Sequence, residues 1–172
     1  DISKWDVSRV TKMNAMFDEA IAFNGEISKW DVSHVTNMDK MFRDAIKFNQ
    51  KLCGAAWVHS KARKSSMFAG SPGSISSTVC TRSTATITST KAATTMTITT
   101  VFAPRNNTAL HDAVDACLEL SPEGDCSNDP YGSIAEWDVS RVTDMSRMFM
   151  SATSFNSDLS NWDVSSVTNM EF

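Results

Sequence analysis

The stretch WDVSHVTNMDKMF at 30–42 is one writing of a phrase that the chain uses four times. WDVSRVTKMNAMF stands at 5–17, WDVSRVTDMSRMF at 137–149 and WDVSSVTNMEF at 162–172. Trp5 and Trp30 are 25 residues apart, and so are Trp137 and Trp162. The second halves agree as well: Ala20 with Phe23–Asn24, Ala45 with Phe48–Asn49, and Ala152 with Phe155–Asn156. All five Trp, with Trp57 in a weaker copy, and eight of the ten Met fall at phrase positions. The odd balance of Met, Phe and Trp against a single Tyr is therefore the product of copying.

A period of 25 lies in the leucine-rich-repeat range, where each coil buries its apolar side on its neighbours. Ile27, Trp30 and Val32 have the spacing apolar-x-x-apolar-x-apolar, as do Ile2–Trp5–Val7, Ile134–Trp137–Val139 and Leu159–Trp162–Val164. Trp-Asp-Val alternates in, out, in, which is strand periodicity. Stacked strands would pair into a parallel sheet at a spacing of ~4.8 Å. Then the period changes. Val35, Met38, Met41/Phe42 and Ala45 recur at steps of three and four, which predicts a short helix with one apolar face. Thr11, Thr36, Thr143 and Thr168 stand where an N-cap is wanted, and Glu171 completes a capping box with Thr168. Phe23, Phe48 and Phe155 are expected in the core, and Asn24, Asn49 and Asn156 on backbone groups of the next coil. The expected fold is thus an α/β repeat solenoid of leucine-rich-repeat-like coils with short parallel strands and short helices.

Between the copies the pattern fails in an informative order. Trp57 to Met67–Phe68 echoes the phrase one residue short and reads as a degenerate capping repeat. Residues 71–100 hold 17 Ser/Thr in 30 positions, the composition of a solvated tether open to O-glycosylation. A rival reading makes strands of Thr86–Ile87–Thr88 and Thr97–Ile98–Thr99. Residues 107–120 read as an amphipathic helix with Leu110, Val114, Cys117 and Leu118 on one face, capped by Asn107 or Thr108 and ended by Pro122 and Gly124. The organisation expected is the end of one array over 1–80, a linker over 71–101, a cap over 102–134 and the start of a second array over 135–172. Residue 1 falls in mid-repeat and Phe172 before the next Met-Phe, so the stretch reads as a window on a longer chain. Its outer ends would be continued by further repeats, and open ends would associate.

The phrase WDVSxVTxMxxMFxxAxxFNxxIS resembles the BspA-like leucine-rich-repeat surface proteins, over residues 1–68 and 131–172. The resemblance implies an extracellular scaffold of the cell surface or cell wall, acting in adhesion and protein recognition. It also implies an array closed by a Cys-x-x-x-Trp step and a later Cys, here Cys53, Trp57 and Cys80. The segment NNTALHDAVDACLELSPEGDC is similar to the cap that opens a new array in eukaryotic members. Four cysteines allow three pairings. Cys53 and Cys80 bracket the terminal repeat and Cys117 and Cys126 a short loop, which favours local pairing; buried free thiols are the plainer alternative.

The net charge is −4, too small for a nucleic-acid binder, but it is unevenly laid out. Residues 1–68 hold 11 Lys/Arg against 8 Asp/Glu, and residues 106–172 hold 2 against 12. No run is long enough to span a membrane. No phosphate loop or Cys-x-x-Cys pair is present, and His34, His59 and His111 form no ligand spacing. The expected function is non-enzymatic, without cofactor. Asp6, Asp31, Asp138 and Asp163 would line up as an acidic ladder. The plain reading has each accept nearby backbone N–H groups; the sharper one is a weak Ca²⁺ surface. Lys4, Lys29, Glu136 and Asn161 vary beside them, and Ser8, Ser33, Ser140 and Ser165 follow. These positions are the candidate binding face. Its partners would be other surface proteins, matrix components, or further repeats end to end. A ligand-recognition ectodomain of a receptor-like protein is the alternative. Asn106 is the acceptor of the sequon Asn106-Asn107-Thr108.

Overall fold

The computed structural model describes residues 1–80, 101–127, 130–149, 152 and 154–171. Its organising contact is a carbonyl that serves two donors. The Ile2 carbonyl accepts the Trp5 backbone N–H at 3.2 Å and the Trp30 indole N–H at 3.0 Å. Ile27 does the same for Trp30 and Trp57, Ile134 for Trp137 and Trp162, and Leu159 for Trp162 and Trp5. A buried indole needs an acceptor and a carbonyl has two lone pairs, so each phrase locks its neighbour in register. Trp137 stands at the end of the row, and its indole turns instead to the Tyr131 and Gly132 carbonyls.

The expected leucine-rich-repeat-like α/β solenoid is not formed. Among the described residues the sheet is one parallel pair, β1 (Lys51–Leu52) with β2 (Ser74–Ile75). The α-helices are α1 (Ala55–Val58) and α2 (Asn107–Leu120), with a 3-10 turn at Ile134–Glu136. Among the described residues the Trp-Asp-Val phrases lay down no strand, and no helix follows them. The backbone explains why. Ala15, Glu19, Lys40, Asp44 and Arg147 have φ between 55° and 58°, and a left-handed residue stops a right-handed helix. Amides of Met38, Lys40, Phe42 and Asp44 leave their own phrase and donate to carbonyls of Arg63, Ser65, Met67 and Ala69 at 2.7–2.9 Å. The alternate amides of Met41, Arg43 and Ala45 bond three residues back. Met13 to Ala20 repeats both halves of this scheme. Neither an α-helix nor a strand can result. The Thr residues cap nothing: the Thr36 hydroxyl donates to the Thr11 carbonyl, Thr11 to Thr168 and Thr168 to Thr143.

Nor do the copies form two arrays held apart by a linker. The Trp5 ring is stacked between Trp30, at 6.2 Å, and Trp162, at 6.5 Å. Isolated parallel bridges run Asp144, Asn169, Lys12, Asn37, Arg63, so residues 159–171 lie against residues 2–13. One buried core passes through both blocks, with Met13, Met38, Met41, Met145 and Met170 among its members. Ends expected to be open cover each other. The Ser/Thr-rich positions 81–100, with both of their candidate strands, lie outside the described residues.

Each end of the row is closed. α2 buries Leu110, Ala113, Val114 and Cys117, while Leu118 is only partly covered. Its cap is Asn106, one residue before the positions expected, whose side chain accepts the Ala109 N–H at 2.8 Å. The Asn107 amide and the His111 ring reach the Asp144 and Arg147 carbonyls, seating α2 on the Trp137 phrase. At the other end α1 carries Trp57, which is fully buried. Gly54 is needed there, because a Cβ would run into the Ser28 carbonyl.

Candidate functional site

Because Trp and Val point inward, the residues on either side of the Trp point out. Lys4, Lys29, Glu136 and Asn161 are exposed, and so are Asp6, Asp31, Asp138 and Asp163. Ser33 is exposed, and Ser8, Ser140 and Ser165 are half-buried. The bridge order brings these positions together as parallel rows on one face. Its first row reads Glu136, Asn161, Lys4, Lys29, an acid-to-base gradient along one regular backbone.

The Asp row is held by its own phrase. Each Asp Oδ1 accepts the N–H of the Ser two residues on, at 3.0 Å for Asp6, Asp31 and Asp163 and 3.1 Å for Asp138. The Ser140 hydroxyl adds a 2.6 Å bond to Asp138. Hydroxyl and then backbone N–H of the following Ser hold Asp6, Asp31 and Asp138 below the usual carboxylate value. Asp144 is lowered too: burial works to raise it, but Ser146, the Asn169 amide and Lys12 outweigh that. These carboxyls bind protons less readily folded than unfolded. The stability they contribute is therefore present above the ordinary value of 3.8 and lost as pH falls through the lower folded values. Melting temperature should be flat from neutral pH to about 5 and decline below about 4. A melt that improves on acidification would contradict the assignment. As to Ca²⁺, among the described residues no group of three or more His, Cys, Asp or Glu could hold a metal ion. The four Asp are instead directed to their own turns.

The next row was missed from the sequence. Arg141, Arg9 and His34 are exposed at the position after the Ser, with Ser166 half-buried between them. That position varies among otherwise constant letters, which was the available signal. Where this row meets α1, a cleft of about 460 Å³ opens between Ser33, His34 and Thr36 on one side and His59, Ser60 and Lys61 on the other. The Phe-Asn positions are structural. Phe48 is buried, Phe23 and Phe155 partly so. Asn24 accepts the Asn49 N–H at 3.0 Å, and the Asn156 N–H donates to Glu123. Asn106 is exposed, and its cap uses the side-chain oxygen, leaving the nitrogen that a glycan would take.

Disulfides join Cys53 to Cys80 and Cys117 to Cys126. Two such bonds point to a non-cytoplasmic protein, since thiols are kept reduced in the cytosol. No helix among the described residues is long and apolar enough to cross a membrane. A family model described as "Mycoplasma protein of unknown function, DUF285" matches residues 1–97 and 126–172. Comparison with curated proteins and with solved structures gives no match.

Proposed function

The chain belongs to the DUF285 family, and from that premise and the exposed face we propose a non-enzymatic recognition protein of the cell surface or cell wall. The observation that carries this reading is one backbone pattern displaying different side chains in one row, Glu136, Asn161, Lys4 and Lys29. A fixed frame with variable outward residues suits binding, because specificity changes there without disturbing the buried Trp row. The resemblance to BspA-like surface proteins favours the same reading, as do the two disulfides. The partner suited to the face is another surface protein or a matrix component that is acidic opposite Lys4, Lys29 and Arg9. Electrostatic complementarity of this kind governs encounter rate and partner choice.

The test is retention of chain-coated beads under flow on immobilised matrix proteins and on cells. Lys4→Glu with Lys29→Glu should reduce retention about tenfold or more, a change of about 1.4 kcal/mol. Lys47→Glu, off this face, should leave it unchanged. Equal loss from both variants, or no retention at all, would remove the support for adhesion.

A further inference from the structure

The contact between residues 159–171 and residues 2–13 repeats, from the Trp through the Thr to the Met, the bonds that join consecutive phrases of one block. The Trp5 indole donates to the Leu159 carbonyl at 2.9 Å, as Trp30 does to Ile2 at 3.0 Å. The Thr11 amide and hydroxyl both reach the Thr168 carbonyl, as those of Thr36 reach Thr11. The Met170 N–H donates to the Lys12 carbonyl at 3.0 Å, and Lys12 Nζ lies 3.5 Å from Glu171. Yet these phrases are far apart in the chain and face each other only through non-covalent contact. The face of Ile2, Trp5 and Thr11 selects its occupant through phrase motifs, to which two ion pairs are added, the Asp1 amino group with Asp158 at 2.8 Å and Lys12 with Glu171, and a second copy offers the same groups.

We infer that this seam is an exchangeable docking surface whose other occupant is residues 137–171 of a second copy of this chain. Exchange would join copies in a row while preserving each hydrogen bond of the closed form, which makes it a low-cost route to assembly. Closure within one chain holds the advantage until the free concentration approaches the effective concentration set by tethering, on the order of millimolar. Crowding at a surface favours the exchanged form, and this holds whatever the exposed face binds.

Chains labelled with ¹⁴N and ¹⁵N, mixed in equal parts, supply the test. They are held together at ~1 mM just below the melting temperature and then separated by size. Carbodiimide couples Lys12 to Glu171 without a spacer, and mass spectrometry reads which isotope each peptide carries. Monomer should give same-isotope links only. The associated fraction should carry mixed-isotope Lys12–Glu171 links as about half of the total, the statistical share for exchange. Same-isotope links alone in the associated fraction, no association at that concentration, or no Lys12–Glu171 link in the monomer would each overturn the inference.

Discussion

Replacing Trp30 by alanine should cost about 3–5 kcal/mol of unfolding free energy, the range for deleting a large buried aromatic. Trp30 is 2% exposed, and its ring is stacked on Trp5 with an interplanar angle of 6°. Its loss opens a cavity between the two neighbouring phrases and removes the bond that sets their register. Trp30→Phe separates the two effects. Most of the apolar surface remains, and the Ile2 carbonyl keeps the Trp5 N–H, so that variant should cost about 1 kcal/mol from the lost indole bond. Lys29→Ala, one residue away and exposed, should stay within about 0.5 kcal/mol of the parent. Urea titration of the three variants checks the order. If Trp30→Ala is as mild as Lys29→Ala, the double-donor carbonyl is not what joins the phrases.

That row of Trp was legible because burial follows letters: an apolar position repeated every 25 residues can only be facing something repeated. Val7, Val32, Val139 and Val164 are buried, as are Met13, Met38, Met145 and Met170. The backbone was not legible. Apolar steps of three and four suit an α-helix and equally suit successive turns closed three residues back. The choice between them lies at Ala15, Glu19, Lys40 and Asp44, where neither Gly nor Asn announces a left-handed backbone. Thr11 and Thr36 misled for a related reason. A hydroxyl beside a predicted helix suggests a cap, whereas here it serves the next phrase. The docking of residues 159–171 on residues 2–13 left no local trace either, since the partners are remote in sequence. The candidate face was readable as outward positions, and the row of Arg9, His34 and Arg141 beside it was readable by the same variation but lies past the Ser, outside the Trp-Asp-Val alternation that marked the outward positions.

Breaking Cys53–Cys80 should weaken the fold more than breaking Cys117–Cys126, although the second pair is the more deeply buried. A disulfide acts chiefly by restricting the unfolded chain, and the restriction grows with the loop closed. Sequence separations of 27 and 9 give about 3.5 and about 2.5 kcal/mol respectively. The native environments pull the other way. Cys117 is 0% and Cys126 3% exposed, and Cys126 holds φ at 51°, an uncommon backbone for a non-glycine residue. Releasing that residue recovers a little of what is lost, whereas Cys53 and Cys80 are also joined by a backbone bond from the Cys80 N–H to the Cys53 carbonyl at 3.0 Å. That bond and the pairing of β2 with β1 both depend on residues 74–80 staying in place. Paired Cys→Ala variants should therefore lose stability in the order Cys53/Cys80 first, Cys117/Cys126 second. The two losses should nearly add, because the pairs close opposite ends of the Trp row and share no partner. Hydrogen exchange should locate the first loss around Leu52, Trp57 and Met67, and the second along α2. A larger loss from Cys117/Cys126 would mean that seating α2 on the Trp137 phrase, rather than closing the longer loop, dominates the stability of the chain.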